Sequence, residues 1–246
     1  MNEKIIRFTA HKDYFKLNEE LPKAVKLNIP DWFKKLEHST EAKTVKGCIP
    51  FLQTLTYGYV FSLPQDFILK HNSFSKDEIK TTLIASIEED YGYNLNVRDR
   101  PEQHSTEQIK GSPYSKKNSN LFVNKILNPW IIKTPPGYSC LFVSPLNNSD
   151  DRFSIIPGIV DTDTFPLYIN FPFVVNGDKY PVLDTELKKG TPYVQVIPFK
   201  RDSWKMNIGE IEENSKNNFW LKKGKYFLQH LHNYKNLFWN KKTTWK

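Results

Sequence analysis

Apolar and polar residues alternate over much of the chain at the two-residue period of a β-strand. Residues 48–70 (CIPFLQTLTYGYVFSLPQDFILK) alternate in this way and are rich in Phe, Tyr, Val, Ile and Thr, with breaks at Pro50 and Pro64. Between residues 128 and 205 strand-like runs become dense, and turns rich in Pro, Gly, Asn and Asp separate them. These runs are 130–134, 139–143, 154–156, 167–175 and 193–197. The pattern predicts a mainly β fold, an antiparallel barrel or sandwich.

The two ends of the chain have a different pattern, which predicts helical extensions. Residues 29–36 predict a short helix with Asp31 near its start and lysines towards its end. In the last forty residues apolar side chains recur at steps of three and four, which is helical spacing. We therefore divide the chain into an N-terminal extension (1–47), a β domain (48–205) and a C-terminal extension (206–246). Within the β domain, residues from about 71 to 127 form a polar insertion with one strand-like run at 81–87.

The charge of the chain is concentrated at its C-terminal end. The formal net charge is +8, and residues 214–246 contain eight lysines and no acidic residue. The remaining 27 basic and 27 acidic side chains balance each other. Such an asymmetry is typical of a partner surface.

Several classes of protein are disfavoured by the sequence. No run of eighteen apolar residues is present, so we expect no membrane span. The N-terminus has no continuous apolar region, which argues against a signal peptide. Cys48 and Cys140 are the two cysteines, and we expect both to be reduced core residues of a cytoplasmic protein.

Two segments of the β domain resemble motifs of the dUTPase and dCTP deaminase family. Residues 56–64 (TYGYVFSLP) are similar to that family's early strand, with Tyr59 at its packing tyrosine and Val60 where an Asp positions the metal. Residues 136–144 (PGYSCLFVS) are similar to its phosphate motif, with Ser144 at the serine position and Val143 where an arginine is expected.

Two further segments complete the resemblance. Residues 157–165 (PGIVDTDTF) follow the motif whose first aspartate is the general base, here Asp161. The resemblance implies nucleotide contacts for Gly158, Asp163 and Phe165, the last standing one place late for the aromatic that stacks on the sugar. Residues 190–196 are similar to the fourth motif and retain Gln195, which the resemblance also places among the nucleotide-binding residues together with Tyr59 and Ser144.

The resemblance implies a dUTPase-like barrel that assembles as a trimer, with altered chemistry. Hydrolysis of a triphosphate needs its charge neutralised by metal and arginine, and two valines stand where the family has an Asp and an Arg. The family's glycine-rich C-terminal arm has no counterpart in residues 198–246. Our leading hypothesis is therefore a non-catalytic or repurposed barrel, a binding or assembly module without a cofactor. The alternative is a divergent nucleotide hydrolase that uses Mg²⁺, with Asp161 as base and Arg152 or Arg201 replacing the lost arginine.

The C-terminal extension supplies a third hypothesis, contact with nucleic acid. Its lysines can follow a phosphate backbone while an aromatic side chain stacks on bases. The residues concerned are Lys222, Lys223, Lys225, Trp239, Lys241 and Lys242. A docking surface for another protein or for another copy of this chain, and a plain amphipathic helix with a solvated lysine face, remain open for the same residues. Phosphate contacts predict a steep loss of affinity as salt rises.

Two smaller observations complete the analysis. Asp161 and Asp163 can share a base or metal role if the backbone is extended, or can cap backbone N–H groups in a turn. His230 and His232 are two residues apart, a spacing that does not suit a helical metal site, and we predict no metal centre. Residues 158–163 and 189–201 are also similar to proteins of marine bacteriophages, which implies a place in the host cytoplasm or the virion.

Overall fold

The computed structural model describes residues 4–17, 20–39, 41, 43–76, 81–85, 103–104, 106–114, 123–210, 233–240 and 245. The strands are β1 (Arg7–Thr9), β2 (Lys23–Ala24), β3 (Tyr59–Ser62), β4 (Phe67–Asn72), β5 (Thr81–Ala85), β6 (Gln103–His104), β7 (Val123–Ile126), β8 (Ile131–Lys133), β9 (Tyr138–Val143), β10 (Phe153–Ile155), β11 (Gly158–Val160), β12 (Phe171–Val175), β13 (Val182–Leu187) and β14 (Pro192–Lys200). The α-helices are α1 (Lys12–Leu17), α2 (Asp31–Lys35), α3 (Ile49–Thr54) and α4 (Asn233–Leu237).

The strands form four antiparallel sheets. The largest has the order β11-β9-β14-β3-β2, a second has the order β10-β12-β7-β6, and a third has the order β13-β4-β5. Strands β1 and β8 make a separate pair. The prediction of a mainly β, antiparallel fold is confirmed, and the described strands do not close into a barrel.

The core lies between these sheets and follows from the alternation in the sequence. On β3 and β14, Phe61 and Val194 are almost fully buried, as is Leu69 at the centre of β4. Phe171 on β12 connects two sheets, because its ring lies 6.3 Å from that of Phe61 and 5.4 Å from that of Phe142. On β4 buried and more exposed residues alternate, so one face of that strand lies on a shared apolar interior.

Some local predictions were wrong. Residues Ile49–Thr54 are helical although their composition favours a strand. Pro50 fits the first turn of this helix, where its missing N–H leaves no bond unmade. Cys48 is exposed at the start of the helix, so only Cys140 is a core residue; both are free thiols. The predicted strand at 167–175 begins at Phe171, because Leu167 and Tyr168 lie in an exposed loop.

The segments at the ends and in the insertion contribute to the sheets. In the first forty-seven residues β1 pairs with β8 and β2 pairs with β3. The predicted helix at 29–36 is present as α2, with Phe33 buried and Trp32 47% exposed. Strand β7 lies within the predicted polar insertion, and Val123 and Ile126 are buried there.

The C-terminal helical prediction can be compared with the structure only in part. Helix α4 agrees with it, whereas residues 211–232 lie outside the described part of the chain. The longest described helices have six residues. No helix in the described ranges has the length and apolar character needed to cross a bilayer.

Candidate functional site

A turn after β11 places Asp161 and Asp163 beside the start of β9. The amides of Thr164 and Phe165 both donate to the carbonyl of Asp161, which closes the turn. Thr162 is fully buried at its centre, and its hydroxyl lies 2.8 Å from the hydroxyl of Thr134. Because Thr162 points inward, the aspartates on either side lie nearer the surface of the domain.

Asp163 is held by a backbone amide and by an arginine. One carboxylate oxygen accepts the N–H of Gly137 at 2.8 Å, and Arg201 approaches with both terminal nitrogens, Nη1 lying 2.9 Å from Oδ1. Only 7% of the Asp163 side chain is exposed. Hydrogen bonding by Arg201 lowers the pKa of Asp163 to about 2, against the opposing effect of desolvation. Asp163 is therefore a structural anion that keeps Arg201 in place.

Asp161 is the more accessible of the two carboxylates. Its side chain is 60% exposed, and its Oδ1 accepts a hydrogen bond of 2.6 Å from the hydroxyl of Ser139. Nη1 of Arg201 lies 3.2 Å from the same oxygen and donates to Ser139 Oγ at 2.9 Å. No described residue hydrogen-bonds to Oδ2 of Asp161, so that oxygen can accept a proton from water.

A magnesium ion, which the family resemblance implies, does not fit these residues. A metal would have to share Asp161 with the Arg201 guanidinium only 3.2 Å away, and the two cations repel each other. Where the family supplies a further carboxylate this chain has Val60, which is 2% exposed. Within the described part of the chain no three His, Cys, Asp or Glu side chains converge as metal ligands do.

The other motif positions meet at a second place in the same sheet. Gln195 on β14 lies opposite Val60 of β3 on one side and opposite Val143 of β9 on the other. The two valines of the altered motifs therefore flank the retained glutamine. Sequence analysis treated these motifs as separate segments, and the strand register brings them together.

Gln195 is fully buried and hydrogen-bonds to the protein's own backbone. Its Oε1 accepts the amide of Leu146 at 2.8 Å, and its Nε2 donates to the carbonyls of Tyr57 at 2.7 Å and Thr54 at 3.2 Å. These bonds fasten the loop after α3 and the turn after β9 to the central strand. A ligand could contact the Gln195 amide only by displacing them.

The remaining predicted nucleotide-binding residues lie on strands of this sheet or in the turns that follow them. Ser144 accepts the amide of Ile155 at 2.9 Å, Phe165 packs against the core, and Tyr59 lies half-buried with its ring 5.3 Å from that of Phe8. Gly158 is exposed on β11. Burial raises the pKa of Tyr59.

Within one chain, the predicted base and the buried glutamine lie apart. Val160 pairs with Cys140, which places Asp161 beside Ser139, whereas Gln195 pairs with Val143. Four residues along a strand correspond to roughly 13 Å. A site using both groups would need a bridging ligand of that length or a second subunit.

Of the two arginines considered as replacements, Arg201 lies at the turn and Arg152 does not. Arg152 donates to Asp150, to the hydroxyl of Thr185 at 2.8 Å and to the carbonyl of Glu186 at 3.0 Å. Hydrogen bonding by Asp150 raises its pKa. Arg152 therefore fastens β13 to the loop before β10.

Most of the predicted nucleic-acid contacts lie outside the described residues. This applies to Lys222, Lys223, Lys225, Lys241 and Lys242. Trp239 is described; it is half-buried after α4, and its amide donates to the carbonyl of Tyr234. Contact with nucleic acid stays a prediction.

Two features of functional interest, Ser139 and the exposed residues after β14, are not among the residues predicted from sequence. Ser139, which bridges Asp161 and Arg201, is not predictable from local pattern because the pairing of β9 with β11 places it there. Trp204, Met206 and Ile208 are 91%, 81% and 83% exposed, and their alternation was a detectable signal.

Comparison of this chain with protein-family models, with curated proteins and with solved structures finds no match.

Proposed function

We propose that this protein is a binding and assembly module built on a dUTPase-like domain whose nucleotide chemistry has been lost. The observation that carries the proposal is the environment of Gln195. Its amide is bound to three backbone groups and lies between Val60 and Val143 in the sheet. A packed position of this kind offers no charged group to a phosphate, and electrostatic stabilisation is the main requirement of phosphate hydrolysis.

The surface that would do the binding is apolar and lies on the largest sheet and the segment that follows it. Ile159 on β11 is 63% exposed, and Leu167 in the next loop is 62% exposed. Trp204, Met206 and Ile208 follow β14. Exposed aromatic, methionine and aliphatic side chains of this kind occur in the core of protein–protein interfaces. Assembly with itself agrees with the oligomer that the family resemblance implies.

The test is a screen of the purified protein against deoxynucleoside triphosphates, with and without magnesium. Thermal stability and release of pyrophosphate are measured on the same samples. We expect no turnover with any nucleotide. Turnover that depends on Asp161 would overturn the proposal, whereas thermal stabilisation without turnover would make the module a nucleotide-responsive one.

A second candidate function is favoured by one observation at the turn after β11. Asp161 is 60% exposed, and Arg201 lies 3.2 Å from it, so a base and a cation are adjacent. A divergent nucleotide hydrolase would use Asp161 to deprotonate water and Arg201 to neutralise a phosphate. For this candidate, Asp161→Asn must abolish turnover, and Asp184→Asn, a change at an exposed aspartate of β13, must not. Turnover that survives Asp161→Asn would rule it out.

A further inference from the structure

The segment after β14, residues 203–210, is an exposed arm in which apolar residues alternate with polar ones. Trp204, Met206 and Ile208 occupy alternate positions, and each is more than four-fifths exposed. Lys205 and Asn207 lie between them. Residues 203–210 make no hydrogen bond to any other described residue. Alternation with period two is the pattern of a strand that has one face buried, yet this arm has no partner among the described residues.

The arm leaves the domain from a fixed point. The amide of Arg201 donates to the carbonyl of Gly137 at 2.9 Å. Its guanidinium binds Asp163 and also donates to the carbonyl of Tyr138 at 3.1 Å. These contacts hold the root of the arm, at Arg201, beside the start of β9.

Strand β11 is an open edge of the same sheet. Among the described strands it pairs only with β9, and the carbonyl of Val160 at its end accepts the amide of Thr162 at 2.9 Å. Ile159 at its centre is 63% exposed, and the space above Gly158 is open for at least 4 Å. Residues 157–160 carry no charge, so the strand lacks the charged side chains that protect most exposed edges.

Three other edge strands, β13, β10 and β5, each have a backbone group that is already occupied. On β13, Arg152 donates to the carbonyl of Glu186 and so occupies a backbone group that a new strand would need. On β10, the amide of Ile155 is bound by the hydroxyl of Ser144. The carbonyl of Thr81 at the start of β5 is occupied by the side chain of Asn124. β11 combines an uncharged sequence with an isoleucine that is 63% exposed, which suits an incoming apolar strand.

The whole arm cannot pair with β11 of its own chain. The order β14-β9-β11 places a strand added outside β11 about 14 Å from β14. Trp204 follows Arg201 by three residues, which span about 10 Å at most when extended. Trp204 can reach such an edge only on another molecule.

We propose that residues 204–208 add as a β-strand to the outer edge of β11 in a second copy of this chain. The inference rests on the proposed function as an assembly module and names its partner. Backbone hydrogen bonds to β11 give the contact its strength, and the alternating side chains bury one apolar face against Ile159. An exchange in both directions gives a two-fold dimer, and a one-way exchange gives a ring or a filament.

The first experiment measures association of the full chain by light scattering and sedimentation over a wide concentration range. The arm variant is Trp204→Ser/Met206→Ser/Ile208→Ser, and the edge variant is Ile159→Lys. The matched control, Ser203→Ala/Lys205→Ser/Asn207→Ser, changes the other face of the same segment. Because the changed side chains are exposed, thermal unfolding should show that every variant stays folded.

We expect the wild type and the control to associate alike. Either disruptive variant should weaken association by at least about tenfold, the equivalent of 1.4 kcal/mol. If the edge variant associates like the wild type, two arms are pairing with each other and the inference is wrong. A wild type that stays monomeric at every concentration also overturns it.

A mixing experiment separates the donor from the acceptor. The arm variant keeps β11 and the edge variant keeps the arm, so an equimolar mixture should associate although neither does alone. In a Cys48→Ser background, Met206→Cys in one tagged chain and Ile159→Cys in another should be joined by a short bis-maleimide. Absence of both effects contradicts the proposed pairing.

Nucleotide turnover measured on the same samples keeps the two proposals distinguishable. A monomer without turnover overturns the arm exchange and leaves the non-catalytic proposal standing. Turnover that depends on Asp161 overturns the proposed function whatever the oligomeric state.

Discussion

Replacing Gln195 by methionine tests whether this residue has a structural role. Methionine has a similar length and volume but cannot form the three hydrogen bonds of the amide. The change leaves the amide of Leu146 and the carbonyls of Thr54 and Tyr57 without their present partner. The Gln195 side chain is fully buried, so water cannot take over its hydrogen bonds at the position of the side chain.

The expected loss of stability follows from these three bonds. A neutral hydrogen bond contributes about 1 kcal/mol net, and a buried group left unpaired costs about 1–3 kcal/mol. Thr54 and Tyr57 are half-buried, so water can partly replace the lost partner, and the bond to Thr54 is the longest of the three. We therefore expect Gln195→Met to lower the free energy of unfolding by about 2–4 kcal/mol.

The assay is urea unfolding followed by circular dichroism, with a linear extrapolation to water. Gln53→Met is the matched control, because Gln53 is half-buried on α3 and its side chain has no hydrogen bond to a described residue. The control should change stability by less than about 0.5 kcal/mol. If Gln195→Met is equally mild, the three bonds do not hold the loops as we argue, and a ligand-binding role for Gln195 regains support.

A charged variant at the same position gives an independent check with a defined sign. In Gln195→Glu, a buried carboxylate would face the carbonyls of Tyr57 and Thr54, which favours its protonated form and raises its pKa in the folded state. Stability relative to wild type should therefore be best at acid pH and fall as pH rises through the raised pKa. If the difference in unfolding free energy between Gln195→Glu and wild type does not change with pH, the side chain at position 195 is not buried against these carbonyls.

Three further changes test other parts of the structure. Leu69→Ala removes a fully buried side chain from the core and should cost about 2–5 kcal/mol in urea unfolding. Gly58→Ala places a Cβ 2.3 Å from the carbonyl oxygen of Val196. Gly111 has the same φ of +79° but open space around it, so only Gly58→Ala should cause a large loss of unfolding free energy. The carboxyl pKa of Asp163 is lowered to about 2. The stability that the ionised Asp163 gives the fold is therefore present above about pH 4 and is lost as pH falls towards 2. The difference in unfolding free energy between wild type and Asp163→Asn should shrink over that window, and a constant difference would contradict the ion pair.

Local pattern in the sequence determined the class of fold. On β4, Phe67 and Leu69 alternate with more exposed residues because one face of the strand lies on the core, and that period is visible in a short window. The same reasoning found the region of Asp161 and Asp163, since a short apolar run followed by two aspartates predicts a strand and a turn.

Local pattern predicted the wrong element where one composition is compatible with both a helix and a strand. Residues Ile49–Thr54 are as apolar as a strand and form a helix. Composition does not decide between the two, because the choice depends on which backbone partners are within reach. For the same reason the sequence did not predict the exposed arm, because the exposure of Trp204 depends on no described strand packing against it.

The sequence by itself determined that the chain is mainly β and antiparallel, and where charge and candidate chemistry lie along it. Only the tertiary structure decided what those residues meet. Arg201 binds Asp163 across 38 positions of sequence, and Gln195 lies between two valines, because β9 pairs with β11 on one side and with β14 on the other. The choice and register of strand partners depend on burying both faces of distant segments at once, and no local window contains that information.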